Sequence, residues 1–200
     1  MTLYFVRHGE SEANTQHVIS NRECPFGLTS RGKAQAAALA ENVKDIPITV
    51  IYSSPVLRAR ETAEILLQSF HISYQITEAL REYDCGVLEE KSDEESWRLH
   101  GEIADDWTLN HNYLRKPEGG ESFLDIQNRF LPSIESLKQV NDEHILLVGH
   151  GGLFHLMLPL ILMNIDDYFV KSHGLGHIDC VIAELRSDTL VCKQWGEIQF

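Results

Sequence analysis

Leu3-Tyr4-Phe5-Val6-Arg7-His8-Gly9 is the stretch from which the fold is read. Four apolar residues in a row, too short a run for a helix, read as a buried strand, and Arg7-His8-Gly9 turns that strand into a polar loop. The same pattern returns twice. Ile48 to Tyr52 is apolar and β-branched at Ile48, Thr49, Val50 and Ile51, and it ends in Ser53-Ser54-Pro55, leading to Arg58. Ile145 to Val148 ends in Gly149-His150-Gly151-Gly152. Between these runs lie helical patterns. Thr29 to Lys44 is alanine-rich, with Thr29 or Ser30 placed to cap it. Ser54 is expected to cap a second helix with Pro55 in its first turn, and Ala59, Ala63, Leu66, Leu67 and Phe70 form its apolar stripe. Ser122 opens a long helix carrying Phe123, Ile126, Phe130, Ile134 and Leu137 on one face, and another helix is expected from Leu153. Cys180–Leu185 and Thr189–Cys192 read as a closing hairpin around Arg186-Ser187-Asp188. Strands alternating with helices predict an α/β three-layer sandwich: one domain over residues 1–200, its sheet mostly parallel, with helices on both faces.

Residues 84–121 depart from that alternation. Asp93, Glu94, Glu95, Glu102, Asp105 and Asp106 interleave with Trp97, Leu99, Ile103 and Trp107, and Gly119-Gly120 closes the segment. It reads as a small helical lid insertion over one end of the sheet, with a solvated acidic face and with Trp97 and Trp107 as core anchors. His155 is expected to face the core or a pocket wall.

The 200 residues hold 17 Lys and Arg against 30 Asp and Glu, a formal net charge of −13. Such a surface repels nucleic acid and anionic lipid, so neither is an expected partner. Cys24, Cys85, Cys180 and Cys192 include no CxxC pair and are expected to be free buried thiols in a reducing cytosol. The opening MTLYFVRHGE lacks a signal-peptide pattern, which also points to a cytoplasmic protein. The apolar stretch Ile145–Met163 approaches membrane-spanning length, but His150, Gly151, Gly152, His155 and Pro159 interrupt it. His173 and His177 stand four apart, and Gly174 and Gly176 make a helical metal pair improbable, so they read as loop histidines. No metal or other cofactor is expected. A monomer or a homodimer formed through an exposed edge strand fits the pattern.

Ligands of open α/β sheets bind beyond the carboxyl ends of the strands. Three strand ends here deliver Arg7 and His8, Arg58, and His150 to one edge. Arginine grips phosphate with a planar fork and keeps its charge. A neutral imidazole between such cations can attack phosphorus, and the cations both lower its pKa and stabilise the transferring phosphoryl group. The leaving alkoxide then needs a proton, which a carboxyl group of raised pKa can donate. Glu78, Glu82, Glu89 and Glu90 all lie in the right region.

These residues carry a family resemblance. Arg7-His8-Gly9-Glu10-Ser11 resembles the RHG signature of the histidine phosphatase superfamily, the phosphoglycerate-mutase-like proteins. Ser53 to Thr62 resembles its second motif, Leu80-Arg81-Glu82 with Gly86 its acid loop, and Val148 to Gly152 its last motif. The motifs run in the family's order from Leu3 to about His155. The resemblance implies a phosphoglycerate-mutase-like fold and metal-free chemistry on a small phosphorylated substrate. It implies His8 as the phosphorylated nucleophile, Arg7, Arg58 and His150 as the phosphoryl clamp, and Glu82 as proton donor and later base. Asn14, with Ser11 and Gly151, falls at substrate-binding positions.

Two segments depart from the family pattern. Glu23-Cys24-Pro25-Phe26-Gly27-Leu28-Thr29 has two residues more than the usual acidic-x-Pro-Leu-Thr, and Gly86-Val87-Leu88-Glu89-Glu90 lacks the Trp and final Gly of relatives similar to α-ribazole phosphatase. Mutase relatives carry Arg after the acid-loop Glu and an Arg-Arg pair in the insertion. Tyr83 and Arg115-Lys116 stand here. The expected activity is therefore phosphomonoester hydrolysis, of the α-ribazole phosphatase or broad-specificity kind. A phosphoglycerate mutase-type transferase and an inactive phosphopeptide-binding module are the alternatives. Arg115 and Lys116 are candidates for holding a distal anionic group.

Overall fold

The computed structural model describes residues 1–22, 25–140 and 142–200. Glu23 and Cys24, which belong to the lengthened loop, lie outside the described residues. The sheet has four parallel strands at its centre and one side: β1 (Thr2–Arg7), β2 (Val50–Ser53), β3 (Ser73–Ile76) and β4 (His144–Gly149). Next to β1 lie β5 (Cys180–Arg186), β6 (Thr189–Trp195) and β7 (Ile198–Gln199), each antiparallel to its neighbour on the β1 side. Among the described residues these make one sheet of seven strands in the order β3-β2-β4-β1-β5-β6-β7. The turn between β5 and β6 places both Ser187 and Asp188 at positive φ, 46° and 69°, which matches the twist of a tight hairpin.

Strand side chains alternate between two faces, and both faces are covered. Tyr4 and Val6 of β1, with Leu146 and Val148 of β4, pack against helices α2 (Ser30–Val43) and α3 (Leu57–Leu67). A four-residue turn of helix, α1 (Glu12–Thr15), precedes them. Leu3 and Phe5, with Ile145 and Leu147, face the opposite layer. That layer holds α4 (Glu94–Thr108), α5 (Phe123–Leu137), α6 (Gly151–Met157) and α7 (Asp167–Ser172). The architecture is the expected three-layer α/β sandwich, and all five apolar positions read on α5 are buried.

The boundaries differ from the sequence reading at several places: α3 ends at Leu67, so Phe70 of its expected stripe lies beyond it, Pro55 precedes it, and β6 runs on to Trp195 rather than Cys192. β2 starts at Val50 rather than Ile48, because Ile46 to Ile48 form a turn. α3 starts at Leu57 with Val56 as its cap residue, so Ser54 is not its cap; the Ser54 hydroxyl instead accepts the Val56 N–H at 3.2 Å. α6 starts at Gly151 rather than Leu153, directly after His150.

The insertion is a 3-10 turn (Gly86–Leu88), α4, and a run of turns back to α5. Trp107 is buried as expected. Trp97 is only half-buried: its indole N–H donates to the His17 carbonyl at 2.8 Å and its ring stacks on His17. Cys85 and Cys192 are buried free thiols, and Cys180 is half-buried. Burial pushes Cys180 up to about 12 and Cys192 up to about 11, which disfavours their thiolates. No helix among the described residues is long and apolar enough to cross a membrane.

Candidate active site

The sheet order decides what meets at its edge. β4 lies between β2 and β1, so His150 sits between Ser54 and His8, each one residue past a strand end. His8 N–H donates to the Gly149 carbonyl at 3.0 Å, and Ser54 N–H to that of Val148 at 2.9 Å, tying the three ends together. Thr62 of α3 adds a further tie. Its hydroxyl accepts the Gly9 N–H at 3.2 Å and donates to the Arg58 carbonyl at 2.8 Å. Arg58 is thereby held in the first turn of α3, buried to 4% exposure, where an ordinary helix-start arginine would be solvated.

His8 is buried and its tautomer is fixed by geometry. Nδ1 lies 2.7 Å from the Gly9 carbonyl oxygen. A carbonyl only accepts, so Nδ1 carries the proton and Nε2 keeps its lone pair. The Arg58 Nε–H points at that lone pair from 2.9 Å. Burial, then the charge of Arg58, holds the His8 imidazole well below its ordinary pKa, with Arg7 and His177 adding to the effect against the Gly9 hydrogen bond. At neutral pH the ring is uncharged.

His150 lies edge-on to His8, with ring centroids 5.1 Å apart. Its Nε2 is 2.8 Å from the Ser54 hydroxyl. The arrangement that satisfies Val56, Ser54 and His150 together has Ser54 accept from Val56 and donate to Nε2. The His150 proton is thus assigned to Nδ1, a buried atom with no partner among the described residues. Burial and Arg58 also push the His150 pKa well down.

Glu82 follows a 3-10 turn (Glu78–Leu80) beyond β3 and reaches across to α6. Its carboxylate accepts the Gly152 N–H at 2.9 Å and the Tyr83 N–H at 3.2 Å. Burial raises its pKa, outweighing the opposing pull of Arg58 and of the backbone donors. Gly151 and Gly152 are glycines for steric reasons. A Cβ on Gly151 would stand 3.0 Å from Arg7 Nε, and one on Gly152 2.8 Å from the Glu82 carboxylate and 2.7 Å from the Tyr83 ring. Side chains there would push the guanidinium and the carboxyl out of place.

Arg7, His8, Asn14, Arg58, Glu82, Gly151 and other residues line one cavity of about 260 Å³. His150 is fully buried beside His8 and is not among the lining residues. Ser11 is fully buried and does not line the cavity. Its backbone N–H and hydroxyl both donate to the Asn14 side-chain oxygen, at 3.1 and 2.8 Å, which leaves the Asn14 amide NH₂ for a ligand. Arg115 and Lys116 are also elsewhere: Arg115 pairs with Asp106 and Glu102, and Lys116 with Asp125. Trp97, expected in the core, lines the cavity beside His100 and Tyr83.

His177 lies in a loop, as its flanking glycines predict, and that loop reaches the site. Its Nε2 is 3.1 Å from the Asn14 side-chain oxygen and 3.4 Å from Arg7 Nη2, and its ring centroid is 6.1 Å from that of His8. The Leu175 carbonyl accepts from Arg7 Nη1 at 2.5 Å. Backbone bonds from Arg7 to Asp179 and from Ile178 to Arg7 lock the loop against the end of β1, and Ile178 adopts φ 68°, rarely tolerated by a β-branched residue. The signal for His177 is the closing strand: β5 runs antiparallel beside β1, so the residues preceding it arrive at the sheet edge that carries His8. Among the described residues no group of three or more His, Cys, Asp or Glu is placed to hold a metal ion.

The family model described as "Histidine phosphatase superfamily (branch 1)" matches residues 3–198. The "Probable phosphoglycerate mutase GpmB" of Salmonella choleraesuis (strain SC-B67) is 31% identical over 169 residues, covering 81% of this chain and 75% of that protein. The solved structure of Bacillus stearothermophilus YhfR superposes with a TM-score of 0.84 at 28% identity, covering 99% of this chain and 98% of that one. The alpha-ribazole phosphatase from Shigella flexneri superposes with a TM-score of 0.83 at 22% identity, covering 98% and 96%.

Proposed function

The chain belongs to the histidine phosphatase superfamily, and from that premise we propose that it is a metal-independent phosphomonoester hydrolase working through a phosphohistidine on His8. The observation that carries this reading is the His8 imidazole itself: Nδ1–H tied to the Gly9 carbonyl, Nε2 unprotonated, and Arg58 2.9 Å from the attacking atom.

A phosphoryl group entering the cavity draws the Arg58 hydrogen bond from Nε2 onto its own oxygens. Arg7, the Asn14 amide and the His150 Nδ1–H supply further donors around the developing charge. The His8 Nε2–phosphorus bond forms as the phosphorus–oxygen bond of the ester breaks, and the departing alkoxide takes the proton of Glu82. Glu82, now a carboxylate, accepts a proton from water as that water attacks phosphorus. Inorganic phosphate leaves, and His8 and protonated Glu82 are restored. Ser11 acts through Asn14 by orienting its amide.

Hydrolysis is favoured over phosphate shuttling because a mutase must grip a second anionic group. Among the described residues Arg7 and Arg58 are the only Lys or Arg side chains lining the cavity. Arg115 and Lys116 are engaged by carboxylates at a distance from it. The test is phosphate release from a panel of phosphomonoesters with EDTA present, run beside phosphoglycerate interconversion. We expect release in EDTA and inhibition by vanadate, which mimics five-coordinate phosphorus. Loss of activity on chelation, or fast interconversion without phosphate release, would overturn the reading. The free thiols of Cys85, Cys180 and Cys192 fit the expected cytoplasmic setting.

His177 is a positioning residue in this scheme: its Nε2–H donates to the nearer partner, the Asn14 side-chain oxygen at 3.1 Å, and so helps orient Asn14 without being needed for bond making. His177→Ala is expected to raise KM and the inhibition constant of inorganic phosphate together, by about fivefold, the worth of one neutral hydrogen bond. kcat should change less, and His177→Gln should restore part of the loss. Equal collapse of kcat with unchanged KM would assign His177 a different role.

A further inference from the structure

A second cavity, of about 370 Å³, opens between α4, α6 and α7. Its floor is Leu156 and Val170, both buried; its walls include Ala104, Thr108, Leu109 and Tyr168. Leu109 is 52% and Tyr168 82% exposed, large apolar groups left facing solvent. The charged lining residues Asp105, Asp167 and Lys171 are exposed at the rim.

Two helices serve both cavities. On α4, Trp97 and His100 line the catalytic cavity, and Ala104, Asp105 and Thr108 line the second. Trp97, His100, Gly101, Ala104, Asp105 and Thr108 follow the i, i+3, i+4, i+7, i+8, i+11 spacing of one helix face. On α6, Gly151 and Gly152 line the first cavity, and His155 and Leu156, one turn on, line the second. Gly101, between His100 and Ala104 on that face, is exposed, and a Cβ built on it meets no atom within 4 Å.

We propose that the two cavities form one substrate groove along α4 and α6, and that the chain acts on phosphomonoesters of long apolar alcohols. The phosphate sits at His8 and the apolar tail runs past Trp97 and Gly101 to Leu156 and Val170. From Trp97 to Thr108 the helix advances about 16 Å, the length of an extended medium-chain tail. The far cavity favours an uncharged tail: its floor is apolar, and on its rim the two carboxylates of Asp105 and Asp167 outnumber the one cation, Lys171. This inference rests on the hydrolase reading for its chemistry, and on the shared helix faces for its ligand.

The experiment compares butyl phosphate with decyl phosphate below its micelle-forming concentration. The two share one leaving-group chemistry, so a difference in kcat/KM reports the tail. For the wild type we expect a decyl-to-butyl ratio of at least about ten, well within what six buried methylenes can supply. Gly101→Phe blocks the groove in an exposed helical position where losing glycine does not destabilise the helix, and it should cut that ratio at least fivefold. Leu109→Asp should lower the ratio from the far end. A wild-type ratio near one, or a ratio that Gly101→Phe leaves unchanged, would overturn the groove. Where neither ester releases phosphate, the hydrolase reading fails, and calorimetric binding of decylphosphonate against butylphosphonate decides the groove. Tenfold tighter decyl binding that Gly101→Phe removes upholds it, and equal binding of the two overturns it.

Discussion

Replacing His8 with alanine is expected to abolish phosphomonoester hydrolysis, lowering kcat/KM for p-nitrophenyl phosphate by at least about 10⁴-fold. The size follows from the role proposed for His8, which makes the bond to phosphorus. His150, the nearest imidazole, has its Nε2 committed to Ser54 and is assigned its proton on Nδ1, so it offers no lone pair to phosphorus. Among the described residues, the thiols of Cys85, Cys180 and Cys192 are pushed toward the protonated form by burial. His8 fills its pocket between Gly9, Arg58 and His150, so the variant should be checked by circular dichroism and thermal melting. His8→Asn offers a second variant of closer shape. Both should bind vanadate weakly or not at all, because the axial nitrogen is gone. Retention of more than one part in a hundred of the wild-type rate by a folded His8→Asn would remove His8 from the chemistry.

Glu82→Gln should separate substrates by leaving group. Alkyl phosphates, whose alkoxides need a proton as they depart, should slow by about 10²–10⁴-fold, the usual worth of a general acid. Aryl phosphates, which leave as stable phenolates, should lose far less in the first step. The pH profile carries the same prediction with a definite sign. In the proposed mechanism the first step needs His8 neutral and Glu82 protonated. The folded pKa of His8 is lowered, so activity falls only when pH drops through that depressed value. The folded pKa of Glu82 is raised, so its proton persists to higher pH than on an ordinary carboxyl and is lost as pH rises through the raised value. kcat/KM for an alkyl ester should therefore fall on the alkaline side, and Glu82→Gln, which cannot titrate, should flatten that limb. Equal losses on both ester classes, or an unaltered alkaline limb, would assign the proton to another group. Gly152→Ala offers an independent route, since its methyl would crowd the Glu82 carboxylate and should give a weaker copy of the same selectivity.

What the amino-acid sequence makes legible is what local pattern encodes. β1, β2 and β4 are central strands, buried on both faces, and stand out as apolar runs. Each ends in polar chemistry, so the convergence of His8, Arg58 and His150 on one edge follows from the order of the runs and the residues that end them. β3 is not legible, because it is an exposed edge strand whose Ser73-Tyr74-Gln75-Ile76 carries no buried stripe. The two-residue β7 has no signal either. Residue type misplaces the start of α3, because Ser54, a good capping residue, is taken up by the turn before the helix and by His150. Hydrophobicity alone assigns Trp97 to the core. Only the approach of α4 to His17 shows that its ring walls the cavity. His177 and the second cavity arise from pairings across the fold, of β5 with β1 and of α4 with α6 and α7, which no local spacing records.

The most direct test of the account is to trap the covalent intermediate. Wild-type protein mixed with a rapidly hydrolysed phosphomonoester, quenched within milliseconds in alkali and digested, should yield a single phosphorylated peptide, that containing His8. The modification should be stable to alkali, labile to acid, and accumulate further in Glu82→Gln with an aryl ester, where water activation is slowed. The His8→Asn variant should yield none. Phosphate found on another residue, or turnover proceeding with no phosphorylated peptide at any quench time, would contradict the nucleophilic role of His8.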